Sequence, residues 1–381
     1  NECGSLLLEK QSTNLVTYSE DFSNAAWIKT DITITSNNAT SPDGTQNADK
    51  LTEGTATASR HGLYQNVSGT ANVSKTLSCF VKKNIGDFVQ LSFNDSQPDN
   101  WVAIVANLST GQIVDTASAA TATYENSKIE SFENGWYRIS VTGKYNTATY
   151  HSKILTCDSA SPTRDNYGNA FFNGNGTRSF YIYGAQLEQS SYPTSYIISN
   201  SGTSTTRIAD SASKTGISSL INSTEGVLYA EIAALADDGT NRYISLSDGS
   251  TSNVVWIRYM STSNQVEARC KVSGATTGLI NFTVADTTLM LKIAFKWKDN
   301  DFALWINGAE EGVVSVSGVT NAANTLTNFN FNDSTSFPFY GNVQNLMVFP
   351  SALTDDELAD LTGAVHQTFN SLATFYNYTI L

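Results

Sequence analysis

Apolar and polar residues alternate along much of this chain with a period of two, the spacing that sends successive side chains to opposite faces of a β-sheet. Tyr137-Arg138-Ile139-Ser140-Val141-Thr142 alternates without a fault, as a strand with one wet face should. Between Gln265 and Val272, Val266, Ala268, Cys270 and Val272 share one face, and Glu267, Arg269 and Lys271 the other. Leu291, Ile293, Phe295 and Trp297 stand likewise against Lys292 and Lys296. Further strands are predicted at 76–82, 87–93, 101–107, 178–184, 227–233, 242–246, 254–260, 302–307, 312–317 and 343–349. Asn307-Gly308 lies between two such runs and suits a two-residue hairpin turn, whose central residues both need positive φ. One helix is predicted, Thr354–Leu361: Thr354 caps it, Glu357 completes a capping box, Asp355 and Asp356 favour its positive end, and Gly363 can stop it.

Short strands separated by Gly, Asn, Asp and Ser predict an all-β protein of antiparallel strands, a sandwich or barrel and not parallel βαβ units, with one short C-terminal helix. A length of 381 residues suits two such domains. The polar stretch beginning Ser199-Asn200-Ser201-Gly202 divides the chain, so the expected organisation is a first sandwich at 1–198, a linker at 199–212, a second sandwich at 213–365 and a tail at 366–381. That tail carries Phe369, Phe375, Tyr376, Tyr378, Ile380 and Leu381, and is expected either to pack on its own domain or to dock on a neighbouring subunit. The chain opens at Asn1 without Met and is expected to be a processed form or a fragment.

The net charge of −13 disfavours nucleic-acid binding, because a phosphate backbone must be neutralised by clustered cations. No apolar run is long enough for a bilayer span, so membrane insertion is not expected. Cys3, Cys79, Cys157 and Cys270 are scattered singly, unlike a zinc site or a disulfide framework; Cys79 and Cys270 fall at apolar positions of strands and read as core residues.

Catalytic chemistry finds little support. His61, His151 and His366 are far apart in sequence and accompany no nucleophile motif, so they read as isolated surface residues. Glu231 and Glu267 are the acids that could form a glycosidase pair, which requires convergence across a cleft. Glu267 lies on the polar face of its strand, and no enzyme activity is expected. Sugar recognition instead rests on aromatic faces that stack on pyranose rings. Trp101 follows a polar turn, and Tyr167, Phe171 and Phe172 lie in an Asn/Gly-rich loop; Trp101, Tyr167 and Phe171 are the candidate glycan-binding residues, core or subunit contact being the other role open to them. Trp27, Trp136, Trp297 and Trp305 fall at core positions.

Residues 1–199 carry Leu6-Leu7-Leu8-Glu9, Thr13-Asn14-Leu15-Val16-Thr17-Tyr18-Ser19-Glu20-Asp21-Phe22, Asn134-Gly135-Trp136-Tyr137-Arg138, Tyr181-Ile182-Tyr183-Gly184-Ala185-Gln186-Leu187-Glu188 and Tyr192-Pro193-Thr194-Ser195-Tyr196-Ile197. In these runs the first half resembles the carbohydrate-binding-module-like jelly rolls of bacteriophage head and tail fibres. The second half, through Leu291–Trp297, Ala303-Leu304-Trp305-Ile306-Asn307-Gly308 and Gly341–Phe349 running into Ala352–Leu358, is similar to concanavalin-like, laminin-G-like sandwiches. The resemblance implies a structural protein at the virion surface, made in the bacterial cytoplasm, that contacts other virion proteins and host-surface or environmental polysaccharide. It further implies a homo-oligomer, a trimer by preference, and a structural calcium ion held by Glu20, Asp21 and Glu188. A secreted carbohydrate-binding accessory module of a polysaccharide-degrading enzyme and a ligand-free capsid cement protein are the other readings.

Overall fold

The computed structural model describes residues 4–95, 97–119 and 121–363. The chain forms two compact units, one of residues 11–208 and the other of residues 4–10 together with 209 onward.

The first unit is a sandwich of two six-stranded sheets. One sheet runs Gln112–Ala119, Trp101–Asn107, Phe88–Asn94, Thr149–Cys157, Gly62–Ser68, Ile28–Thr30, each strand antiparallel to the next. The other runs Thr123–Ser131, Trp136–Lys144, Ser74–Ile85, Ser179–Glu188, Ala48–Glu53, Ile32–Ala39. The chain crosses between the sheets repeatedly, as in a jelly roll. Leu77, Cys79, Val81, Ile139 and Ile182 from one sheet meet Leu91, Phe93, Val102, Ile104 and Ile154 from the other in a dry core. Each is an inward position of an alternating strand, so the period-two pattern is what defines the core.

The second unit pairs a six-stranded sheet, centred on Glu225–Ala234 and Leu291–Lys298, with a seven-stranded sheet centred on Val254–Tyr259 and Gln265–Val272. Leu228, Ala230, Ile232, Ile293 and Phe295 pack against Ile244, Val255, Ile257, Val266 and Ala268 between them. The helix Asp355–Thr362 has the expected Thr354/Glu357 capping box, and Gly363 terminates it. Its Leu358 and Leu361 cover Val227, Tyr229, Ala294 and Trp305 on the outer face of the six-stranded sheet. Asn307 and Gly308 form the two-residue turn, with φ of 50° and 92°.

Two expectations about the organisation need correction. Leu6–Leu8 is not part of the first sandwich: it pairs antiparallel with Gly341–Phe349, Leu8 opposite Gly341, on the edge of the second unit's sheet. Leu8 is buried in that unit's core, which supplies the driving force. The stretch 199–212 is not a plain spacer, since Thr205–Arg207 pairs back onto Ser12–Asn14 and Asp210 accepts from the Glu9 backbone N–H at 2.8 Å. The domains are therefore not simply consecutive in the chain. The tail at 366–381, with His366, lies outside the described residues, as does Cys3. Cys79, Cys157 and Cys270 are buried, and burial pushes the last two thiols up to about 11 and Cys79 further still. Trp27, Trp136, Trp297 and Trp305 are core, as the pattern indicates.

Candidate functional site

In the strand Thr149–Cys157, Tyr150 and Ile154 face the core, so His151, Lys153 and Leu155 face outward. The neighbouring strand Gly62–Ser68 buries Leu63 and Val67 and turns Gly62 and Tyr64 to the same outer face, with Tyr64 directly opposite Lys153. Gly62 has to be glycine: a Cβ there would stand 2.5 Å from the Ile154 carbonyl oxygen. These residues form the floor of a cavity of about 310 Å³, lined also by Thr30, Arg60, Leu63, Tyr167 and Asn169.

The wall is the loop that follows Cys157. The Asp165 carboxylate accepts from the backbone N–H groups of Tyr167 and Asn169 at 2.9 and 3.0 Å and from the Asn169 amide at 2.7 Å, which closes the loop into a tight turn. Gln90 donates to the Gly168 carbonyl at 2.7 Å and ties that turn to the sheet. Gly168, at φ 74°, lies flat on the Trp101 indole, where a Cβ would come within 2.4 Å of the ring. Lys153 spans floor and wall: its Nζ donates to the Tyr167 carbonyl at 3.0 Å and to Asn169 Oδ1 at 2.8 Å. The Arg60 guanidinium sits 5.7 Å from the Tyr64 ring centre, and Tyr64 and His151 are 5.3 Å apart. Burial pulls the Lys153 ammonium down to about 7, with nearby Asp165 opposing and Arg60 adding to the shift. Burial, then Lys153 and Arg60, also lower His151.

Of the three predicted glycan-binding rings, the structure brings only Tyr167 into this cavity, where it is 38% exposed. Trp101 is a correction: half-buried under Gly168 and beside Arg164 at 5.8 Å, it supports the loop instead of presenting a free face. Phe171 is exposed but does not line the cavity, and Phe172 is buried against His61. Arg60, Tyr64, His151, Lys153 and Asn169 were not among the candidates. The signal for three of them was present: alternation through Tyr150, Ser152 and Ile154 puts His151 and Lys153 on one face, and Leu63, Gln65 and Val67 do the same for Tyr64.

The proposed calcium ligands do not converge either. Glu188 is buried, and its oxygens accept from Ser12 Oγ, Gln186 Nε2, the Thr194 N–H and Thr194 Oγ1 at 2.5–3.0 Å. Four donors around one carboxylate occupy the lone pairs a cation would need. Glu20 accepts from Tyr183 and Asn200, while Asp21 caps the turn at Ser23 and Asn24. No group of three His, Cys, Asp or Glu side chains suited to a metal forms among the described residues. Hydrogen-bond donors surround these acids, and Arg138 reaches Ser78 and the Thr194 carbonyl beside them.

Glu231 and Glu267 belong to different sheets. Leu228, Ala230 and Ile232 flank Glu231 on the core side, as Val266 and Ala268 flank Glu267, so the two acids sit on opposite outer faces of one sandwich. Glu231 accepts from Asn345, and Glu267 from Arg258, Arg269 and Trp256. His61 is not a surface residue: it is fully buried, with Nδ1 2.7 Å from Asp31 and Nε2 facing the Phe172 carbonyl at 3.3 Å.

No protein-family model matches this chain, and no curated protein sequence does. Among solved structures it is similar to mouse laminin alpha1 chain domains LG4-5, at 9% identity, covering 78% of this chain and 90% of that one with a TM-score of 0.26. It is also similar to Trypanosoma rangeli sialidase in complex with sialic acid, at 9% identity and a TM-score of 0.29, covering 87% of this chain. The chain spans 62% of that sialidase's length. At these scores neither likeness carries an argument about the site.

Proposed function

We propose that this protein is a non-enzymatic carbohydrate-binding protein and that the cavity on the outer face of the first sandwich is its glycan site. The observation that carries this reading is the convergence of Tyr64 and Tyr167 with Arg60, His151, Lys153 and Asn169 around one open cavity. Ring faces would take the apolar C–H face of a pyranose while the polar side chains take its hydroxyls. A volume of about 310 Å³ suits a terminal sugar unit or two. The separation of Glu231 from Glu267, and the carbonyl facing His61 Nε2 where a nucleophile would stand, support a binding role over hydrolysis.

Placement at a phage virion surface, as a fibre or decoration, rests on the resemblance of residues 1–199 to the jelly rolls of such proteins. A repeated array of weak sites on a homo-oligomer would hold a particle to host or environmental polysaccharide by avidity. The test is a glycan array probed with the purified chain, its oligomeric state measured by light scattering. Tyr64→Ala and Tyr167→Ala should each weaken binding about five- to tenfold, the effect of about one lost ring contact, with the melting temperature nearly unchanged. Undiminished binding by both variants would remove the cavity from the function.

A further inference from the structure

The chemistry of the cavity lining goes further and, resting on the glycan reading, narrows the class of sugar. In a chain with 35 acidic and 22 basic side chains, this cavity is lined by Arg60, Lys153 and His151 and by no carboxylate. Its cations are held by neutral groups. Arg60 Nε reaches Thr30 Oγ1 at 3.4 Å, and its guanidinium otherwise leans on Tyr64. Lys153 is 4% exposed, and its two acceptors are a carbonyl and an amide oxygen, which leaves a third N–H donor free to serve a ligand. The nearest acid behind it, Asp165, is engaged by the Tyr167 and Asn169 N–H groups and the Asn169 amide. A desolvated ammonium without a paired carboxylate is costly, and an anion that arrives with its ligand offsets that cost.

We infer that the cavity takes an acidic sugar, a uronic-acid unit whose carboxylate lies against Arg60 and Lys153 while its ring packs on Tyr64 or Tyr167. Arg60 offers the planar donor fork that matches a carboxylate, and Lys153 adds a charge that is present only while its nitrogen is protonated. The groups facing that nitrogen are Asp165, Arg60, His151, Tyr64 and Tyr167. With its pKa near 7, Lys153 is largely charged at pH 6 and largely neutral at pH 8.5, and His151 loses charge in the same direction.

The test is calorimetric titration of the full chain with oligogalacturonate and oligoglucuronate, each beside its carboxyl-reduced neutral counterpart, at pH 6 and pH 8.5. The acidic member of a pair should bind at least about tenfold tighter at pH 6, the worth of one charge-assisted contact. That advantage should shrink at pH 8.5. Arg60→Gln should abolish it and Arg60→Lys should restore part of it, with circular dichroism checking the fold of each. Equal binding of the neutral counterpart would overturn the carboxylate assignment and leave the glycan reading standing. No binding of any acidic or neutral saccharide would overturn both, and inorganic phosphate competing at the same concentration as the oligouronates would overturn the sugar half of the inference.

Discussion

Two sheet faces in this protein carry the same residue types and end in opposite states. On the outer face of the second unit's seven-stranded sheet, Glu267 accepts from Arg258 and Arg269 at 2.7 and 2.8 Å, the Arg269 guanidinium lies 5.5 Å from the Trp256 ring, and Arg258 bonds Tyr243. Glu267 is 1% exposed, and Trp256 and Tyr243 are buried with it. On the outer face of the first unit, Arg60, Lys153 and His151 stand among Tyr64 and Tyr167 around an open cavity with no acid in its lining. One carboxylate separates the two cases. With it, cations and rings close into a self-sufficient cluster; without it, they leave unspent donors facing a space of ligand size. The presence of arginine and aromatic residues on a sheet face is therefore no indicator of a site until the counter-charges have been assigned.

Removing the internal anion should hurt most. Glu267→Gln leaves two mostly buried guanidinium groups facing a neutral amide, and should lower stability by about 3 kcal/mol, read by urea denaturation. Next comes the wall of the open cavity: Gly168→Ala forces a Cβ against the Trp101 ring at a φ of 74°, and should cost about 1–3 kcal/mol. Glycan binding should fall with it, because Tyr167 is displaced. A third experiment uses the Lys153 proton. The folded value near 7 lies below the ordinary lysine value, so between the two the unfolded chain binds more protons. Stability should therefore rise with pH from about 7 toward 9, by up to about 1.4 kcal/mol per pH unit for this one group. Lys153→Met should flatten that slope relative to the parent protein. The smallest effect on stability belongs to Arg60→Gln, within about 0.5 kcal/mol, since no ion pair is lost with it. A loss comparable to that of Glu267→Gln would erase the contrast between the faces.

Strands with a strong apolar face were legible from the sequence because burial on one side enforces alternation: 101–107 and 265–272 coincide with Trp101–Asn107 and Gln265–Val272. Strands that were missed are polar for a physical reason. Ile32–Ala39 and Gln112–Ala119 are sheet edges with largely exposed side chains, so little burial shapes their composition. Thr149–Cys157 was missed because its inward face includes Ser152 and Thr156, and with it went His151 and Lys153, the floor of the cavity. Trp101 illustrates the converse error: its polar flank suggested exposure, yet Gly168, distant in sequence, lies on the ring. The capping box and the Asn307-Gly308 turn were readable because both are local, needing only residues a few positions apart. The pairing of Leu6–Leu8 with Gly341–Phe349 spans over 330 residues and leaves no local mark beyond three leucines.

That long-range pairing makes the first sandwich an insertion inside the second. Translation completes the inserted unit while the opening leucines still wait for Gly341–Phe349, so the inserted unit can fold before its host. Anyone expressing the second unit from residue 209 onward would amputate one of its strands, baring the backbone edge at residues 341–343 as a template for aggregation. Supplying residues 4–10 as a separate peptide, or grafting them behind a short turn, is the remedy this topology dictates.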